Sequence, residues 1–185
     1  MADVTYDVAA GAKKRLRDMG DGTHAEVMAG SPSGYASVIT TRPSNTTAYT
    51  AGDVVGATAA AWSFTSMGAS GSSVIITSAA LKIDISAVPS GMTSFRLHLY
   101  DVTPPSAAAD NDVWDLPSGD RTAYLGYIDL GSPVDVGSTL YVEANGINKQ
   151  VRLSGTGLYG YLVTNGGYTP SSAAVYAIKL HAVGA

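Results

Sequence analysis

The chain has 185 residues, 45% hydrophobic and 14% charged, with 11 Lys and Arg against 15 Asp and Glu for a net charge of −4. That length suits one domain with an extension; the composition is too apolar for intrinsic disorder and too acidic for a nucleic-acid binder. Cysteine is absent, which removes disulfides, thiolate metal centres and a cysteine nucleophile together; no apolar stretch reaches the roughly 18 residues of a membrane span, and no apolar run follows the first basic residues, so no signal peptide is expected.

In chain order, the first predicted element is a small hairpin, Arg15–Met19 against His24–Met28, turned at Asp21-Gly22. Residues 31–48 are rich in Ser, Thr and Pro and read as a linker or extended segment. Ala57–Ala61 is alanine-rich, but Gly56 and the β-favouring Trp62-Ser63-Phe64-Thr65 bracket it. It reads as strand or loop, with a short helix as the alternative. From about residue 73 onward, period-2 alternation recurs in short runs, the signature of half-buried strands. Leu81, Ile83 and Ile85 alternate with Lys82 and Asp84, and Phe95, Leu97 and Leu99 with Arg96, His98 and Tyr100. Leu140 and Val142 alternate with Tyr141 and Glu143, and Tyr176, Ile178 and Leu180 with Ala177, Lys179 and His181. Asn145-Gly146 predicts a hairpin turn between Leu140–Ala144 and Ile147–Leu153, because a type I′ turn needs positive φ twice. Asn165-Gly166-Gly167 predicts a turn after a strand over Leu158–Thr164, and Pro170 delays the last strand to near Ala174.

These elements divide the chain into an N-terminal arm or hairpin (1–30), a linker or extended segment (31–48) and one all-β domain of about eight strands (49–185). Strand spacing without intervening helices predicts a jelly-roll-like two-sheet β-sandwich rather than a parallel sheet. No internal repeat points to a solenoid, propeller or fibrous shaft.

Several clusters carry a chemical reading beside a plainer one. Lys13, Lys14, Arg15 and Arg17 hold four of the eleven basic residues. They fit docking on an acidic partner surface or simply a solvated terminal face, diluted by Asp18 and Asp21. Asp110-Asn111-Asp112 with Asp115 and Asp120 supplies oxygens of the kind calcium takes, but lacks the spacing of an EF-hand loop; Asx-turns explain such a run without metal. Gly155-Thr156-Gly157-Leu158-Tyr159-Gly160 matches a dinucleotide fingerprint in letters only, since a strand pattern rather than a helix follows it. His24, His98 and His181 are scattered, with no zinc spacing, and the latter two sit at strand positions where a half-exposed polar residue is expected. No serine lies in a hydrolase elbow, and Glu26 and Glu143 are the sole glutamates. No catalytic, cofactor or metal residue emerges. Among eleven tyrosines, Tyr159, Tyr161 and Tyr168 lie close together and, with Trp114, form a candidate face for subunit contacts or for stacking on sugars. Ordinary sandwich packing is the alternative.

Three segments carry a resemblance. They are residues 15–27, Arg15-Leu16-Arg17-Asp18-Met19-Gly20-Asp21-Gly22-Thr23 onward; Thr41-Arg42-Pro43-Ser44-Asn45-Thr46-Thr47-Ala48-Tyr49 with Gly52-Asp53-Val54-Val55-Gly56; and Phe95–Asp101 through Pro104-Pro105, Asp110-Asn111-Asp112 and Trp114 to Leu125-Gly126-Tyr127-Ile128. Together they resemble virion structural proteins of tailed bacteriophages. The resemblance implies a non-enzymatic particle component without a cofactor, assembled in the bacterial cytoplasm and located in the virion. It implies a capsid decoration (cement) or short head-fibre protein, held to the major capsid protein or other virion subunits and associating with its own copies as a homotrimer. Nucleic acid and membrane are not among the implied partners. A carbohydrate-binding, host-adsorption module at the tail or neck, contacting host surface glycans, is the alternative.

Overall fold

A computed structural model of the chain describes residues 4–9, 12–19, 21, 23–26, 33–56 and 60–185; for the strands before residue 27 the backbone alone is described. Two compact units result, Met1–Pro32 and Ser33–Ala185.

The first unit is a three-stranded antiparallel sheet, β1 (Val4–Ala9), β2 (Ala12–Asp18) and β3 (His24–Glu26), in that order. β2 pairs antiparallel with β3, with Asp21 between them; Gly22 of the expected Asp21-Gly22 turn, and Val27 and Met28 of the expected second strand, lie outside the described residues. The Met19 amide donates to the Thr23 carbonyl at 3.0 Å, and the Asp21 carboxylate accepts from the Thr23 amide at 2.8 Å.

The second unit stacks two antiparallel sheets. One runs β10 (Val134–Asp135), β11 (Leu140–Arg152), β7 (Ser73–Ile83), β13 (Val175–Gly184), β4 (Ser33–Thr41). The other runs β5 (Val54–Val55), β12 (Leu158–Thr164), β8 (Phe95–Tyr100), β9 (Tyr124–Gly131), with β6 (Trp62–Phe64) also paired to β12. With β5 and β6 taken as one interrupted strand and the short β10 set aside, the first strand pairs with the eighth, the second with the seventh, the third with the sixth and the fourth with the fifth. Such nesting of two Greek keys has a name. The strand order is that of a jelly roll.

Period-2 alternation produces the core. Phe95, Leu97 and Leu99 from β8 meet Tyr176, Ile178 and Leu180 from β13, all at or below 1% exposure. Among the described residues there is no helix; Ala60 and Ala61 lie in irregular backbone before β6, and residues 57–59 of the alanine-rich stretch lie outside the described set.

Three sequence readings change. Residues 33–41, placed in the linker or extended segment, form β4, which pairs with β13 along its whole length. Asn145-Gly146 makes no hairpin turn, because β11 continues across β7 on both sides of it, with a register shift between Asn145 and Lys149. Gly146 (φ 67°) and Asn148 (φ 51°) are left-handed there, so the Asn-Gly pair marks a bulge rather than a turn; β7 is long enough to pair with both halves, and that ladder overrides the local turn preference. Finally, His98 was expected to be half-exposed, yet it is 5% exposed, and Tyr100 on the same side of the alternation is 1% exposed. The chain between β8 and β9 folds back over the outer face of their sheet and buries them.

Candidate functional site

That return segment, residues 101–123, builds a second, smaller core on the outside of the β8 sheet. Tyr100, Tyr161, Val163, Val54 and Ala123 form it, with Trp114 packed against them. The His98 ring lies 3.7 Å, centroid to centroid, from the Trp114 ring, and its Nδ1 is 2.9 Å from the Tyr124 hydroxyl. Burial, and then the nearby Arg96 charge, push the imidazole pKa down from its ordinary value to about 4. A neutral ring therefore fills the site at neutral pH. It is a packing element.

The middle of the segment is fastened by a buried ion pair. Arg42 Nη2 lies 3.2 Å from Asp110 Oδ2, with both side chains shielded from water. Arg42 also donates to the Tyr49 hydroxyl at 3.1 Å, the Asn45 side-chain oxygen at 3.0 Å and the Ser171 carbonyl at 3.2 Å. Asp110 accepts from the Gly56 amide at 2.8 Å and from the Tyr49 hydroxyl. Burial, followed by the Asp110 hydrogen bond, raises the Tyr49 pKa far above the ordinary phenol value. The network is closed on itself, so it holds the fold and leaves no free group for chemistry.

The beginning of the segment borders an open pocket of about 550 Å³. Its walls are Asp101 at the end of β8, Ser63 and Thr65 from β6 and just beyond, the loop Ser154–Gly157, and Tyr159 on β12. Register sets this convergence, since Tyr159 pairs with Ser63 on one side and with Tyr100 on the other. The loop is tied down by the Met67 amide, which donates to the Thr156 carbonyl at 2.8 Å. A side chain at Gly157 would collide with the Phe64 carbonyl, 2.2 Å from an added Cβ, whereas Gly155 faces open space. Ser154 Oγ donates to Asp101 Oδ2 at 2.5 Å. The other carboxylate oxygen, Oδ1, is enclosed and has no partner among the described residues.

The expected site residues scatter. Lys13, Lys14, Arg15 and Arg17 lie on β2, and their side chains are outside the described set. The four aromatic residues do not make one face. Tyr168 is 3% exposed in the main core, with its hydroxyl 3.2 Å from that of Tyr176. Tyr161 is 3% exposed in the second core and accepts from the Ala108 amide at 3.2 Å. Trp114 is half-buried against His98, and Tyr159 alone lines the pocket. The carboxylates of the acidic loop are spent locally, Asp110 on Arg42, Asp112 on the Ala109 amide, Asp115 on the Leu116 amide and Asp120 on the Ser106 amide. No group of three His, Cys, Asp or Glu side chains converges on a metal position among the described residues. His181 is exposed, its ring tilted 57° against that of Tyr35 with the centroids 5.0 Å apart.

Asp101 and Ser154 were missed. The glycine loop did single out their neighbourhood, since Gly155 and Gly157 shape one wall of the pocket, but the partner carboxylate is 53 positions away.

No protein-family model matches the chain, and no curated protein matches it in sequence. Among solved structures it is similar to a chain of the capsid of Ralstonia phage GP4, at 12% identity and TM-score 0.40 over 84% of this chain and 86% of that one. It is also similar to a chain of infectious bursal disease virus, Gx strain, at 12% identity and TM-score 0.39; there 98% of this chain aligns with only 39% of the other. A chain of Israeli acute paralysis virus gives 12% identity and TM-score 0.27, over 83% and 71% respectively. Likenesses at these scores carry no weight for function, and the jelly roll stands on its own strand pairing.

Proposed function

We propose that the chain is a non-enzymatic structural subunit of a bacteriophage particle, a capsid decoration or short head-fibre protein. It docks on major capsid or neighbouring virion subunits through residues 1–30, where Lys13, Lys14, Arg15 and Arg17 meet an acidic surface. It associates with its own copies, and a trimer is the copy number that the sequence resemblance implies.

The observation that carries this reading is the outer edge of β4. That strand ends its sheet, and its nine residues include no charge and no proline, the devices by which monomeric proteins blunt an edge. Ile39 and Tyr35 are 69% and 48% exposed on it, and Val183 of the adjacent strand is 39% exposed. Such an edge suits a protein that lives among copies of itself, on a fold that recurs in viral coats. The alternative, a carbohydrate-binding adsorption module, has one observation in its favour, the hydroxyl-lined pocket beside Tyr159.

Particle loading tests the main reading. The full chain should be present in purified virions, and a chain lacking residues 1–30 should fold but fail to load. Absence of the full chain from virions overturns the particle role; full loading of the truncated chain overturns the anchoring role.

A further inference from the structure

We propose that the pocket between Asp101, Ser154 and Tyr159 binds one uncharged sugar ring of a glycan. The volume of about 550 Å³ falls in the range of small-molecule sites and exceeds what a single hexose fills, and the pocket is open at its mouth, so a polymer enters without a free end.

The lining chemistry selects the class of ligand. Ser63, Thr65 and Ser154 present hydroxyls, all on residues exposed to solvent. A hydroxyl both donates and accepts, which matches the alternating demands of sugar hydroxyls. Tyr159 supplies a stiff, half-buried ring with an apolar face for the C–H side of a pyranose. Among the described residues, no lysine, arginine or histidine lines the pocket. The one charged group among the described lining residues is the Asp101 carboxylate, and the chain as a whole carries −4, so uronate, sialate, sulfate and phosphate groups are repelled rather than drawn in.

Asp101 is the anchor. One of its oxygens is held by Ser154 and the other is enclosed without a partner among the described residues. A buried acceptor left unpaired is costly. The terminal torsion of a carboxylate is soft, so a small turn offers that acceptor to an incoming sugar hydroxyl, and binding satisfies it. The site is also preorganised. The loop is pinned at Thr156 and pressed against β6 at Gly157, so little ordering is left for the ligand to drive.

The pocket belongs wholly to the Ser33–Ala185 unit, so its test is separate from particle loading. The full chain is titrated by saturation-transfer NMR with disaccharides and methyl glycosides of glucose, galactose, mannose, N-acetylglucosamine and rhamnose. Sialyllactose and a sulfated disaccharide serve as anionic probes. Gly155→Phe fills the pocket from a position with no neighbour to strain, and Asp101→Asn removes the anchoring charge with little change of shape. The expected result is millimolar binding of at least one neutral sugar, abolished in Gly155→Phe and weakened by about tenfold or more in Asp101→Asn, with the melting temperature of both variants held. Silence of the wild type towards every neutral probe, binding of the anionic probes alone, or unchanged binding in both variants overturns the proposal. Gly155→Phe should load into virions as the wild type does, so loss of sugar binding and loss of particle incorporation are read independently.

Discussion

Arg42 and Asp110 lie 68 positions apart in the chain and meet at 3.2 Å with both side chains out of water. Removing one partner strands the other charge in the interior. Asp110→Ala is therefore expected to cost about 3–5 kcal/mol, read as a fall in the denaturant midpoint. The pair Arg42→Met with Asp110→Leu should cost less than the two single changes added together, because it leaves no orphaned ion. A loss below about 1 kcal/mol for Asp110→Ala contradicts the clamp.

His98 makes stability depend on mild acid. Its folded pKa of about 4 lies below the ordinary histidine value near 6.5, so the unfolded chain binds the extra proton first. Stability is then fully present above about pH 6.5 and falls between there and pH 4, with a slope approaching about 1.4 kcal/mol per pH unit for one proton. Denaturation series across that window should show the slope, and His98→Phe should remove it. Equal slopes in the two proteins count against a buried neutral imidazole.

Gly157 and Gly155 stand two positions apart with opposite demands. An added methyl at Gly157 meets the Phe64 carbonyl, and one at Gly155 meets nothing. Gly157→Ala should destabilise by about 1–3 kcal/mol by prising the loop from β6, while Gly155→Ala stays within about 0.5 kcal/mol of the wild type. Thermal unfolding of the two variants side by side distinguishes them.

The β4 edge should tolerate charge in the monomer and refuse it in an assembly. Ile39→Lys combined with Tyr35→Lys changes exposed positions, so folding stability should move by no more than roughly 1 kcal/mol. Light scattering should show an oligomer for the wild-type chain and single chains for the double variant. Retention of the wild-type mass in the double variant rules out this edge as the contact.

What the sequence disclosed follows what is local. Alternation through Phe95, Leu97 and Leu99 identified a strand and its inner face, because the side-chain period of two is written in adjacent letters. It said nothing about the cover over His98 and Tyr100, which arrives from residues after the strand and is decided by packing. Asn145-Gly146 correctly marked a place where left-handed backbone is needed. Whether that becomes a turn or a bulge depends on β7, some seventy residues earlier. Asp110 sat in a run legible as a loop, but its partner Arg42 lay in a stretch whose Ser, Thr and Pro content masked both the clamp and the strand β4. The pocket shows the same division, with its glycines visible in sequence and its carboxylate recruited from a distant strand end.

The pairing of β4 with β13 also governs the order in which the protein is made. β13 occupies the place between β4 and β7, so a nascent chain on the ribosome carries both neighbours long before the strand that joins them emerges. Until Val175–Gly184 has emerged, that sheet is split, with Tyr35 and Ile39 on one bare strand and two strand margins open to stray pairing. Closure of the sandwich therefore waits for its last strand, and the interval before that strand emerges is when a folding helper has most to protect.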